Sequence, residues 1–297
     1  MGFKFPIPPG YATEPVWTGN GFLIGAEKVP ILKYTGCDDG WDASLTDFHE
    51  KEANDGSHYI DRASRRHACD DLKNIVQNSS KVVLEIGSSS GYLLREIKRS
   101  FPESFLIGSD CIPEPLENIG KKISDIPLIQ FDLVNCPLPD NCVDVVIALN
   151  VLEHIKDDEN ALKQIYRILK PGGYVIIEVP ANQDLYDFYD EQLRHFRRYS
   201  LHELKILTEK TGFTVIRASH LGFFIYPGFK CVKHRNRQKN TMNDAQKQSG
   251  MKKLIQLGGP VINNFFYFLM KIELTIGNVF QYPIGIRCLL LLKKEIE

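Results

Sequence analysis

The stretch VVLEIGSSSGYLL, Val82 to Leu94, decides how this chain is read. An apolar run reaches Glu85 and Ile86, Gly87 and Gly91 then frame Ser88, Ser89 and Ser90, and helix-forming residues begin at Tyr92. A buried strand that turns sharply into a helix brings backbone N–H groups up to a ligand.

The character of that ligand follows from what the turn lacks. A dinucleotide fingerprint, G-x-G-x-x-G, would need glycine where Ser89 and Tyr92 stand. Glu85 would also set a carboxylate beside a pyrophosphate, whereas an ammonium group would be attracted to it. S-adenosylmethionine carries an α-ammonium, a sulfonium, a ribose diol and an adenine, and so predicts further acids on the neighbouring strands. Asp110 closes the next apolar run, with Cys111 after it, where a carboxylate can accept both ribose hydroxyls. Asp132 closes the third, placed for the adenine amino group, with Leu133 beside it to pack on the ring.

Outward from this stretch, the apolar runs Val82–Ile86, Phe105–Ile107, Leu128–Phe131 and Val143–Leu149 alternate with helix-like segments. This is the rhythm of a parallel sheet covered on both faces. Tyr174–Val179 follows Lys170-Pro171-Gly172-Gly173, a helix stop and turn after the periodic Ala161, Ile165, Ile168 and Leu169. Ser200 and Glu203 form a capping box opening a helix that ends near Gly212. Phe213–Ser219 and Gly285–Leu292 read as two more strands, and the segment between them is too long for a simple connection. Upstream, Tyr59–Gln77 reads as a helix, and Thr18-Gly19-Asn20-Gly21 as a hairpin turn in a Gly-, Pro- and aromatic-rich start. The expected organisation is an arm over 1–58, a core over 59–220 plus 284–297, and a lid or substrate-side insertion over 221–283.

Composition sets outer bounds. With 297 residues, one core domain with additions is expected, and 43% hydrophobic with 25% charged residues is globular. Thirty-six basic against 37 acidic residues leave no long-range field to gather nucleic acid, so no nucleic acid partner is expected. The seven cysteines are scattered without a C-x-x-C pair, which predicts reduced thiols in a cytoplasmic protein and no metal site. The start MGFKFPIPPG has no apolar h-region, and Leu254–Met270 is too interrupted to span a bilayer.

These residues together resemble the class I S-adenosylmethionine-dependent methyltransferases. Glu85-x-Gly87-x-x-x-Gly91 is similar to the family's first motif, Asp110 to its second, and Asp132 to its adenine-contacting acid. VDVVIALNVLEHI, Val143 to Ile155, resembles the fourth-strand motif, and Leu169–Gly173 the turn before strand five. The resemblance implies an α/β, Rossmann-like sheet of seven strands, order 3-2-1-4-5-7-6, with the last strand antiparallel. It also implies Leu149 and Asn150 near the transferred methyl group, and S-adenosylhomocysteine as the spent cofactor. One departure is Ser89, where many members carry glycine. The Glu153-His154 pair is mostly structural in the family.

Methyl transfer from a sulfonium is an in-line displacement, and a base is needed only if the nucleophile must lose a proton. The acceptor side is expected from the arm, the segment after strand five and the insertion. For a hydroxyl acceptor His195 is the preferred base, and Arg197 and Arg198 can hold an anionic group. Lys230, Lys233, Arg235, Arg237, Lys239, Lys247, Lys252 and Lys253 precede the aromatic block Phe265–Leu269. A basic patch beside such a block can meet an anionic membrane or a lipid-linked substrate over 230–276. The expected acceptor is a small molecule: a saccharide, polyketide or lipid-linked metabolite. Competing readings are a nicotinamide-dependent oxidoreductase or epimerase, and a non-catalytic binder of S-adenosylmethionine.

Overall fold

The structure, a computed structural model, describes residues 3–36, 56–77, 79–237, 259–277 and 279–296. Expectations that fall on 37–55 and 238–258, including those for Lys239, Lys247, Lys252 and Lys253, lie outside the described residues. In chain order the elements are β1 (Val16–Trp17), β2 (Phe22–Ile24), β3 (Glu27–Val29), β4 (Ile31–Lys33), α1 (Tyr59–Val76), β5 (Val82–Ile86), α2 (Tyr92–Ser100), β6 (Phe105–Asp110), α3 (Pro113–Lys122) and β7 (Leu128–Gln130). There follow β8 (Val143–Leu149), α4 (Asp158–Ile168), β9 (Leu169–Pro180), α5 (Phe188–Gln192), α6 (Leu201–Lys210), β10 (Thr214–Leu221), α7 (Tyr226–Arg237), α8 (Gly259–Gly277) and β11 (Arg287–Lys293).

The main sheet runs β10-β11-β9-β8-β5-β6-β7-β4, with β11 antiparallel to both neighbours and the rest of the ladder from β9 to β4 parallel. Leaving out β4, this is the order 3-2-1-4-5-7-6 that the resemblance implies. The addition is β4 from the arm, which pairs Ile31–Lys33 with Leu128–Gln130 and satisfies an edge that β7 would otherwise expose.

Why these runs are strands buried on both faces is visible in their alternation. Leu84, Ile86, Val146 and Ala148 pack on one side with α4, α6 and the arm's Phe5 and Phe22. Val83, Val145 and Ile147 pack on the other with α1, α2 and α3. In the arm, β1 and β2 form the expected hairpin, closed by Thr18, whose N–H and hydroxyl both donate to the Gly21 carbonyl at 2.9 and 2.8 Å. The Ser200–Glu203 capping box is present at the start of α6.

Two differences have physical causes. Lys170–Gly173 does not stand outside the sheet as a turn: β9 begins at Leu169 and the four residues bulge within it. Leu169 pairs with Val143 and Tyr174 already with Val145, Gly172 supplying the left-handed φ of 78°. Cys111 is disulfide-bonded, while Cys69, Cys136, Cys142, Cys231 and Cys288 are free thiols. The expectation of reduced thiols is therefore corrected at Cys111; scattered spacing hides a bridge because the fold, not sequence proximity, brings the sulfurs together.

Candidate active site

A cavity of about 1030 Å³ opens above the C-terminal ends of β5, β6, β7 and β8. In open α/β sheets ligands bind at this edge. Gly87 and Ser89 from the β5 turn, Asp110 and Cys111 from β6, Asp132 and Leu133 after β7, and Leu149 and Asn150 from β8 all line it.

The turn is built for close backbone approach. Gly87 has φ 74°, and a Cβ there would stand 2.7 Å from Val151 Cγ2. Ser89, although not glycine, also takes a left-handed φ of 44°, and its N–H donates to Asp110 Oδ2 at 2.9 Å. Ile112 N–H donates to the other oxygen at 3.1 Å, so the Asp110 carboxylate is fixed from two sides. Burial raises the Asp110 carboxyl from its ordinary value, and those N–H groups oppose the rise. Asp132 accepts from Val134 N–H and Asn135 Nδ2, capping the short turn that follows it while still reaching the cavity.

Four other expected cofactor residues stand behind this wall. Ser88 Oγ accepts from Ser109 N–H at 3.1 Å and ties β5 to β6. Gly91 caps α2 at φ 71°, packed on Ile119, and Tyr92 lies under the Arg95 guanidinium at 4.7 Å. Glu85 is buried, does not line the cavity, and has its carboxyl raised well above the ordinary range by burial, with Ser88 opposing.

Facing the donor rim are Glu153, His154, His195 and Arg198, with α7, α8 and the start of α1 as further walls. His195 Nδ1 lies 2.8 Å from Asp190 Oδ1. A carboxylate only accepts, so Nδ1 carries the proton and the free lone pair is at Nε2. Arg198 Nε reaches the same oxygen at 2.8 Å, and Lys233 Nζ reaches Asp190 Oδ2 at 3.0 Å and Asp187 Oδ1 at 2.6 Å. Burial disfavours the Asp190 charge, but His195, Arg198 and Lys233 outweigh it and hold the carboxyl well below the usual range. Burial, with Arg198 and Arg287, lowers the His195 imidazole below its ordinary value against the pull of Asp190.

Several expected roles change here. Lys233 belongs to no exposed basic patch: it is 5% exposed and locks α7 onto the acids of α5 and its cap. Arg197 does not line the cavity; it is spent on Asp158 at 2.6 Å and the Lys156 carbonyl at 2.7 Å. Arg198 does line it, already paired with Asp190. Glu153 and His154 meet His195 across the cavity, their ligand-capable atoms within 4.8 Å of one another. The sequence does not reveal this meeting, because His195 joins a pair that is distant from it in the chain. Burial lifts the Glu153 carboxyl to about 8, with Arg287 opposing.

Glu178 was missed. It is fully buried on β9, accepts from Ser64 Oγ at 2.6 Å and from Asn150 Nδ2 at 3.4 Å, and so holds the Asn150 corner. The signal was a lone acid inside the apolar run Tyr174–Val179.

Fold and cavity together define an α/β domain with a ligand-sized cleft at the C-terminal edge of its parallel strands. The chain belongs to the methyltransferase-domain family, whose pattern, described as Methyltransferase domain, matches residues 59–218. It is 30% identical over 138 residues to a protein of Mycolicibacterium smegmatis named a probable S-adenosylmethionine-dependent methyltransferase, covering 45% of this chain and 52% of that one. It is 29% identical over 126 residues to the demethylmenaquinone methyltransferase of Deinococcus radiodurans, covering 41% of this chain and 51% of that one. The chain thus spans about half the length of these relatives. Among solved structures, the [4+2]-cyclase SpnF superposes with a TM-score of 0.56 at 15% identity, covering 89% of this chain and all 100% of that one. That likeness bears on the fold alone.

Proposed function

We propose that this chain transfers the methyl group of S-adenosylmethionine to a lipid-linked small molecule. The observation that carries the reading is the continuity of the cavity. Asp110 and Asp132, His195, and the apolar Phe224, Phe229, Val232, Phe266 and Leu269 all line this one cavity. The acids suit the donor's adenosine, His195 a polar acceptor head, and the apolar side chains a tail.

Positioning supplies most of the rate, because the accepting atom, methyl carbon and sulfur must be collinear. For a hydroxyl acceptor His195 is the group placed to activate it, because the hydroxyl must lose its proton as the O–C bond forms and the C–S bond breaks. Glu85, buried behind the β5 turn, acts on the donor only by holding that turn.

Support for a lipid-linked acceptor comes also from α8. Val261, Phe265, Phe268, Ile272 and Ile276 form one exposed stripe on it, while Ile262, Phe266 and Leu269 beside them line the cavity. Among the described residues no helix is long and apolar enough to cross a membrane. The stripe suits shallow contact with a bilayer, from which an acceptor could enter. One relative is named for demethylmenaquinone as its acceptor.

The deciding experiment is incubation of the purified chain with methyl-labelled donor and a total lipid extract. Label is expected in the organic phase together with S-adenosylhomocysteine. Label confined to water-soluble acceptors would overturn the lipid-linked reading, and no affinity for the donor would overturn the cofactor assignment.

A further inference from the structure

The buried charges around the acceptor chamber pair off with one left over. Asp187 and Asp190 are matched by Lys233 and Arg198, and Glu178 lies 3.7 Å from Arg287 Nε. Glu153 is 0% exposed, and neither of its carboxylate oxygens has a hydrogen-bond partner. A buried carboxyl with no hydrogen-bond partner is uncommon and calls for one.

What stands next to Glu153 gives the missing partner. His154 and His195 meet edge to face with ring centroids 4.7 Å apart, and one ligand atom from each lies within 4.8 Å of the other and of the Glu153 carboxylate. His195 is oriented from behind by Asp190 on Nδ1, which leaves Nε2 as the donor. A carboxylate holding the far nitrogen of a histidine is the usual support of a metal-bound imidazole. Two imidazoles and one carboxylate are the donor set of borderline divalent transition cations, and Glu153, His154 and His195 all face the cavity, which leaves further positions open to an acceptor.

We propose that Glu153, His154 and His195 bind one divalent transition cation at the acceptor end of the chamber. With bonds of about 2.1 Å, ligand atoms must close to about 3.4 Å, which side-chain rotation supplies. The role rests on the methyl-transfer reading: an acceptor hydroxyl bound to the cation releases its proton to solvent, its oxygen takes the methyl group, and the sulfonium leaves as a neutral thioether. The site itself does not depend on that reading.

The test uses cobalt(II) as probe on the full chain, without donor or acceptor, so that its outcome is separate from that of methyl transfer. One equivalent is expected to bind with visible d–d absorption, and two hyperfine-shifted histidine resonances are expected by NMR. Glu153→Gln and His195→Ala are each expected to weaken binding more than tenfold while calorimetry shows donor affinity retained. Should a variant lose donor affinity through misfolding, the two histidine resonances of the wild-type chain decide alone. No saturable cobalt binding, or binding with fewer than two histidine signals, overturns the proposal and leaves His195 Nε2 to act directly as the base.

Discussion

Lys233 and His195, one on α7 and the other in the loop after α5, share a single carboxylate: Asp190 accepts from both, at 3.0 and 2.8 Å. The α7 wall of the cavity and the His195 imidazole are thereby one hydrogen-bonded unit. Closing α7 over the cavity and orienting His195 depend on the same charge.

Asp190→Asn tests that unit. The amide keeps the volume but removes the charge that matches Arg198 and Lys233, both buried. Removing one partner of a buried ion pair costs about 3–5 kcal/mol. Urea denaturation is expected to show a loss of this order, with methyl transfer falling more than donor affinity. Equal loss of both would point to collapse of the donor rim instead.

Glu85→Gln is expected to separate stability from binding. The folded chain holds the Glu85 carboxyl well above its ordinary value, chiefly by burial. The folded state therefore binds the proton more tightly than the unfolded one. Stability is lost as pH rises from about 4.5, the unfolded value, towards the raised folded one. Glutamine removes that loss, so the ligand-free variant is expected to be more stable than wild type at neutral pH and equal to it at pH 4, with weaker donor affinity. Denaturation across pH 4–8 with calorimetry at pH 7.5 checks both signs. A variant less stable at pH 7.5 would mean that Glu85 is matched by a cation in the folded chain.

Gly87→Ala probes the turn itself. A left-handed backbone at a non-glycine residue costs about 1–2 kcal/mol, and the new Cβ would press on Val151. Donor affinity is expected to fall about tenfold by calorimetry, with a stability loss of about 1–2 kcal/mol. Unchanged affinity would show that the donor lies farther from this backbone.

The placement of Asp110 and Asp132 at one sheet edge was legible in the sequence because both sit at the ends of successive apolar runs. Asp110 and Asp132 follow strands whose order the alternation fixes, so reading the sheet also reads the rim. The acceptor chamber was not legible in the same way. His195 could be singled out as a titratable group, but its meeting with Glu153 and His154 depends on how the loop after β9 folds back over β8. Lys233 looked like part of a solvated basic run; only the packing of α7 turns it towards Asp187 and Asp190. The β4 strand escaped notice for a related reason, since Ile31-Leu32-Lys33 is too short to signal anything until an open sheet edge receives it.

Phe265 and Phe268 give the sharpest test of the membrane contact. They are 56% and 58% exposed, so replacing them costs the fold little, whereas in a bilayer interface each ring would be largely buried. Burying a phenylalanine side chain contributes about 1.5–3 kcal/mol, so each loss should weaken partitioning about tenfold or more. Phe265→Ser with Phe268→Ser is therefore expected to abolish co-sedimentation with anionic liposomes at low salt while leaving the melting temperature and donor affinity as in wild type. Transfer to an acceptor presented in vesicles should fall with it, and transfer to the same acceptor in detergent should not. If the double variant still sediments with vesicles, the stripe on α8 is not the contact; if vesicle-presented turnover is unchanged although binding is lost, the acceptor does not enter from the bilayer.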